Sequence, residues 1–571
     1  MLTSHDNFNP RRFYVVAGLL TVLFICWQLL WAIVTPPFRA PDEPHHYNSI
    51  IRVEQQGTWP DPGEAYLYED VFDAAVGSGL LAPQSPDFSL PYRTILGRDA
   101  WIGTDSASFR SQKLLPHDQR TSPQAEGTVT VRDQMTQHPP LYYAGGALML
   151  RATGMTDVPW DRQILVLRIY SILLTAPLVP CIIFAVRRTG LSRRGALLAS
   201  GVVYAVPMIA FNSASVTNDA LFIGAGALTM AAVSAAMFGS GRWRTVIAAG
   251  LALGLGLWSK GTFIPMGLVV FLSFLTNPRI GTWRRRCIQG LAAGSLSLLV
   301  GGYWWVRNMI RYGVIQPDGF RTPGGEPGTD YFYFMDRVAT SFVESFWSGF
   351  GWLEVKYSEF FLLILLLLSI GLVIRALITH PGKRLRLLMY TANTVFVLGM
   401  LLVQVFNQYR GIGVVSGVQG RYLFAGAVGL ILVFAIGAAG RSWDNFSTTP
   451  GEGADVIEDP TWRTAVLPAL VAGSLLLGAY AMVLWVRSCY PGAFFGMDPL
   501  HWSLAIGIST TWLKLMAVGG IGSLLLAGVF HFRLAWELLR PVRPADGAAR
   551  RESIPTPAGI TKVPAAAASV Q

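Results

Sequence analysis

Charge is scarce in this chain. Asp, Glu, Lys and Arg make up 14% of its 571 residues, against about 25% in an ordinary soluble domain. Hydrophobic residues make up 52%, and the mean hydropathy is +0.42. A chain so poor in charge cannot cover a water-facing surface, which excludes the soluble globular classes and predicts an all-α integral membrane protein. Cysteine is scarce too. The four cysteines are scattered, Cys26, Cys181 and Cys287 in or beside apolar runs and Cys489 near a loop, so neither a disulfide framework nor a metal cluster is implied. The first apolar run, Phe13 to Thr35, has no small-residue cleavage site behind it and reads as a retained anchor. No internal repeat is visible, which counts against a transporter built from duplicated halves. Acids are outnumbered 34 to 45, leaving a formal charge of +11. The excess bases lie in short loops between apolar runs, where topology accounts for them, so no nucleic-acid partner is expected.

Long apolar runs are plentiful, about twelve of them being long enough to read as transmembrane helices. Arg11 and Arg12 precede the first, so residues 1–12 are predicted to be cytoplasmic and the connector that follows external. Residues 36–162, rich in Pro, Gly, Asp and Ser, then form a long first extracytoplasmic loop. Inside it, His138 to Leu150 is apolar but stops at Arg151, too short to cross. A crossing there would also carry Arg187, Arg188, Arg193 and Arg194 outside, so a juxtamembrane or re-entrant helix is predicted instead. The later runs, 164–186, 196–211, 221–238, 246–258, 263–275, 288–305, 360–378, 388–406 and 422–439, then agree with the charge rule. Two of them, 246–258 and 263–275, read as a hairpin with Lys260 at its outer tip. Residues 13–440 are thus one transmembrane region and 441–463 a cytoplasmic loop; 464–535 adds two helices, and 536–571 reads as a disordered cytoplasmic tail.

The chemistry concentrates just behind the first run, in Thr35-Pro-Pro-Phe-Arg-Ala-Pro-Asp-Glu-Pro-His-His-Tyr47. Prolines 36, 37, 41 and 44 stiffen this connector, which delivers Asp42, Glu43, His45 and His46 to the membrane surface, where a general base would have to be held firmly. The same residues also suit a plain exit from the bilayer, since acids favour a helix N-terminus. The predicted topology brings His138, Asp219, Lys260, Arg307, Glu354 and Arg421 to the same side. Carboxylates at one place and cations at another suit transfer from an anionic lipid-phosphate donor: a carboxylate takes the acceptor proton while Lys or Arg neutralises the departing phosphate. Each residue has a plainer reading. Arg307 fits a snorkelling arginine in an aromatic belt, Lys260 a phospholipid contact, Asp219 a helix cap and His138 a turn. Adjacent histidines cannot easily share one ion, which disfavours a metal at His45 and His46; no cofactor is specified, and a divalent cation is left open.

Taken in order, these motifs resemble the GT-C superfamily of polyprenyl-phosphate-dependent glycosyltransferases. More narrowly, Pro36-Pro37 with Pro41-Asp-Glu-Pro-His-His46, Asn218-Asp219, Ser348-Gly-Phe-Gly-Trp352 and Gln419-Gly-Arg-Tyr422 look like a bacterial multi-pass family grouped with those enzymes. The resemblance covers residues 15–440. It implies GT-C-like architecture and an inverting transfer of a sugar from a polyprenyl-phosphate donor to a glycan, glycolipid or protein acceptor of the cell envelope, on the external face of the plasma membrane. By the same resemblance Asp42 is the catalytic carboxylate, with Glu43 as its neighbour or substitute. His45, His46 and His138 bind substrate, and Lys260, Arg307 and Arg421 are cations for the phosphate. The sequence departs from the nearer family in having two consecutive histidines after Asp-Glu-Pro. A flippase for a lipid-linked sugar and a non-catalytic envelope-assembly component are the alternatives; a flippase would want its charges near the midplane.

Overall fold

The computed structural model describes residues 8–78, 113–116, 119, 131–317, 325–440, 465–490 and 506–539. The predicted loop 441–463 and the tail from residue 540 lie outside them. Every regular element among the described residues is a helix. Each of the twelve apolar runs is helical, but eight of the helices are long and apolar enough to cross a membrane. The others deviate for local reasons. The run expected at 196–211 is two helices, Arg193–Ala205 and Pro207–Ser213, bent by 77°. Pro207 removes a donor and forces Val206 out of the helical region (φ −117°, ψ 80°). Trp243–Leu257 and Gly261–Leu275 are short, as expected, with Lys260 at the break between them. The run 283–312 is interrupted by a π-turn at Leu298–Gly302. A side chain on Gly301 would collide with the carbonyl of Gly254, so glycine there lets two helices touch.

Asp219–Phe238 and Gly420–Ala439 are the most buried spans, with 78% and 89% of their apolar windows buried. Small residues of the first make its burial possible: Gly226 lies against the backbone of Ala425 and Gly224 against the carbonyl of Leu174. At one end of the bundle the two ends of the described chain meet, Arg12 and Arg194 both pairing with Glu537 and Arg193 donating to the Phe8 carbonyl. The apolar stretch after His138 is a 12-residue helix, Leu141–Ala152, that docks through Gly146 on Ile50 and does not pass as a span.

The connector behind the first helix, stiffened by its prolines as expected, is a sharp turn between two helices. Pro10–Val34 ends at Thr35, the chain turns through Phe38 and Asp42 with φ of 64° and 60°, and a new helix, Glu43–Gln56, begins at once with Pro44 in its first turn. One buried ion pair fixes this turn. Arg168, inside the apolar helix Trp160–Thr175 and 1% exposed, donates to both carboxylate oxygens of Glu43 at 2.9 and 2.7 Å. Its remaining donors take the carbonyls of Ala32, Thr35 and Pro36. Glu43 accepts in addition from the backbone N–H groups of Phe38 (2.7 Å) and Val216 (3.0 Å). Four segments are thereby held at one point. Nearby, Trp352 donates to the Phe38 carbonyl at 3.0 Å and Arg39 pairs with Glu354 at 2.9 Å, so the Ser348–Trp352 motif clamps the turn from the other side.

Replacing Arg168 by Met would leave Glu43 charged, buried and without its counter-ion, a change that costs about 3–5 kcal/mol. The expected outcome is a clearly lower melting temperature of the detergent-solubilised protein, part of which the double variant Glu43→Gln/Arg168→Met restores. Equal melting of Arg168→Met and wild type would refute the anchoring role.

Candidate active site

Asp42 occupies the N-cap position of the elbow helix in the left-handed region, and its side chain makes no capping bond. An Asp at that position ordinarily folds back on the helix N-H groups. Here the positive φ swings the carboxylate outward while the Asp42 carbonyl still accepts from His45 and His46 N-H at 3.0 and 3.1 Å. Strain of this kind, about 1–3 kcal/mol, is held only where surrounding structure over-determines it. The outward carboxylate meets Arg421, which donates to Oδ2 at 2.7 Å, and Gln134, which donates to Oδ1 at 3.3 Å.

Arg421 begins the last helix of the transmembrane region and also lies 3.5 Å from Asp219 Oδ2, while Lys260 donates to Asp219 Oδ1 at 2.6 Å. Asp42, Arg421, Asp219 and Lys260 therefore form a chain of alternating charges drawn from four separate places in the sequence. Asp219, at 0% exposure, is the shared counter-ion of both cations rather than a helix cap. Burial works against the Asp42 carboxylate, but Arg421, His45 and Lys260 outweigh it and hold its pKa below the usual value. Burial depresses Lys260, a tendency its Asp219 partner opposes.

The cluster opens into two joined cavities. The inner one, about 170 Å³, is lined by Asp42, His46, His138, Lys260, Thr262, Gln316, Arg421 and Tyr422. The outer one, about 700 Å³, shares Asp42, Gln134, Gln137, Leu401, Gln404, Arg421 and Tyr422 with it and continues along Gln408, Ser416 and Gln419. Helical geometry separates the adjacent histidines by about 100°, so one of them faces the cavity. That one is His46, whose ring stacks on Tyr143 and reaches its hydroxyl at 3.1 Å and that of Thr217 at 3.3 Å. His45 is buried behind it, close in charge to Asp133 and Asp42. Burial depresses both histidines and brings His138 down to about 3, Lys260 adding to the effect on His46 and His138. Near neutral pH these imidazoles are uncharged.

Of the expected site residues, Asp42, His46, His138, Lys260 and Arg421 come together. Glu43 does not line the cavities, and each of its oxygens is already taken by two donors. Arg307 lies elsewhere, sharing Asp61 with Arg311 and Tyr312 and resting over Trp304 at 4.9 Å. A divalent cation does not fit the donor set. Two cations already compensate Asp42 and Asp219, and among the described residues no group of three or more His, Cys, Asp and Glu could hold a metal ion. Sequence reasoning missed the glutamines and Arg168. Gln404 and Arg168 each interrupt an apolar helix, and a polar residue inside a span is itself a functional signal. Gln134 and Gln137 carried no such signal; Asp133, which accepts from Asn48 and Ser49 of the elbow helix at 2.6 and 2.8 Å, is what brings them to Asp42.

Eight apolar spans, a helical hairpin and a buried charged cavity at the span ends define a polytopic helical membrane protein with a polar site. The chain belongs to the DUF2142 family of predicted membrane proteins, whose family model matches residues 24–430. Similar solved structures include ArnT from Cupriavidus metallidurans in the apo state, 14% identical, with 92% of this chain and 78% of that one covered and a TM-score of 0.44. The same protein bound to undecaprenyl phosphate is 14% identical, with 91% and 77% covered and a TM-score of 0.39. The apo oligosaccharyltransferase of Archaeoglobus fulgidus is 10% identical with a TM-score of 0.41, and 86% of this chain spans 57% of its length. At TM-scores below 0.5 nothing about the chemistry of this chain follows from these likenesses. No curated protein matches the sequence.

Because the folded value of His138 lies near 3 and the ordinary one is 6.5, the folded protein binds fewer protons than the unfolded chain between them. Stability is whole above 6.5 and is lost as pH falls toward 3. The melting temperature of the wild type should decline over that window, and that of His138→Gln should decline less steeply. Parallel curves would count against a buried neutral His138.

Proposed function

We propose that this protein is a membrane glycosyltransferase that moves a hexosyl or pentosyl group from a polyprenyl-phosphate donor to a cell-envelope acceptor on the external face of the plasma membrane. The observation that carries the reading is the juxtaposition of Asp42 with Arg421 and, through Asp219, with Lys260 around one cavity. The inner cavity takes the donor phosphate. As the phosphate enters, it competes with Asp42 and Asp219 for the two cations, which frees the Asp42 carboxylate of its strongest partner. The acceptor hydroxyl oxygen then bonds to the anomeric carbon from the face opposite the phosphate. The bond from that carbon to the phosphate oxygen breaks, its electron pair stays on the phosphate beside Lys260 and Arg421, and the acceptor proton passes to Asp42. The configuration inverts. His46 and His138, uncharged, offer hydrogen bonds without adding repulsion or attraction. Glu43 and His45 act by holding the elbow helix, and Arg307 by holding the loop at Asp61. The external face is supported by the arginine cluster at residues 187–194, which the positive-inside rule assigns to the cytoplasm.

Asp42→Asn should lower transfer by about 100- to 10,000-fold with expression and polyprenyl-phosphate binding retained. The check is mass analysis of envelope glycans and lipid-linked sugars in cells carrying either form. Unchanged glycans would sink the enzyme reading, and a shifted lipid-linked pool with unchanged chemistry would favour transport. In the same reading kcat/KM has no inflection near 6.5, because His46 and His138 are already deprotonated there. An inflection at that pH would make a histidine, not Asp42, the proton acceptor.

A further inference from the structure

The two cavities around Asp42 share Gln134, Gln137 and Gln404 but differ in the groups each adds to that common wall. The inner one holds the cation Lys260 and both neutral histidines. The outer one, four times as roomy at about 700 Å³ against about 170 Å³, has among the described residues no charged side chain in its lining other than Asp42 and Arg421 at its neck. Its polar surface is made of amides and a hydroxyl: Gln134, Gln137, Gln404, Gln408, Gln419 and Ser416. These come from three separate segments, yet they converge on one wall. Gln134 already donates to the carboxylate of Asp42, and Gln408 donates to Ser416 Oγ at 2.9 Å.

An amide presents both donors and an acceptor and carries no charge, so a row of them matches a ligand whose own groups both donate and accept. Alcohol hydroxyls do this. Among the described residues, a carboxylate, sulfate or phosphate would find no cation along that wall beyond Arg421, and an ammonium no anion beyond Asp42, and these two are already paired with each other. Leu401, Val405 and Ile412 supply apolar patches between the amides, which suits the C–H faces of a sugar ring.

We infer that the outer cavity is the acceptor site and that it selects an uncharged carbohydrate, read through its hydroxyls by the glutamine row, with the reactive hydroxyl delivered to Asp42 at the neck. This rests on the reading of the inner cavity as the phosphate end. Uronic acids, sialic acids and amino sugars are disfavoured as the acceptor residue.

The test uses the full chain in lipid nanodiscs and saturation-transfer NMR with four probes: methyl glucoside, methyl mannoside, methyl glucuronide and methyl glucosaminide. A neutral glycoside should receive saturation, the charged ones much less. Gln408→Leu and Gln419→Leu, neither of which lines the inner cavity, should each weaken the neutral probe about three- to tenfold. Gln408→Asn, which keeps the amide, should restore part of the signal and so separates hydrogen bonding from misfolding. Equal or stronger transfer to a charged probe, no transfer to any glycoside, or neutral binding indifferent to both leucine variants would overturn the inference. Polyprenyl-phosphate binding is measured in parallel by native mass spectrometry. Its failure alongside intact neutral-sugar binding would strike the donor reading and leave a carbohydrate site. Its success with charged-sugar preference would do the reverse.

Discussion

A carboxylate and a guanidinium buried together where two helices and two turns meet are the constraint from which the rest of the site follows. Glu43 and Arg168 are both essentially inaccessible, and each saturates its hydrogen-bonding capacity on the other and on backbone groups. Such a pair gains little over a hydrophobic replacement, but it is highly directional. It stops the first helix at Thr35, sets the angle at which the elbow helix leaves, and ties both to the N–H of Val216 just ahead of Asp219. With those three points fixed, Asp42 has one direction in which to face.

That direction puts it into a second, more exposed arrangement of charges with a different logic. The Glu43 pair is closed, every lone pair taken. In the Asp42 chain, Arg421 is shared between two acids and the cavity touches the cluster directly. A closed pair resists exchange and serves as a strut. A shared cation beside a cavity can exchange one anion for another at low cost, because total charge at the site is nearly conserved when a phosphate displaces a carboxylate. The two adjacent acids of the Pro-Asp-Glu-Pro motif are therefore divided by their first partners between a closed strut and a charge cluster that borders a cavity.

Much of this was legible in advance. The scarcity of charge announced the membrane, and Asp42, His138, Lys260 and Arg421 could be picked out as titratable groups at span ends. Other parts were not legible. Nothing local distinguishes Asp42 from Glu43, or His45 from His46; the first pair is separated by Arg168, which lies 125 residues away along the chain, and the second by the phase of the helix Glu43–Gln56. Arg307 had the right residue type, yet Asp61 captures it first.

Composition and periodicity alone determined that the chain is helical and that it lives in a bilayer, because hydrophobic transfer acts residue by residue and needs no partner. Which carboxylate meets which cation, which histidine faces inward, and which glutamines share a wall were decided only by tertiary structure. Electrostatic and hydrogen-bond energies depend on distances of a few ångströms between residues far apart in sequence, and those distances exist only once the helices have packed.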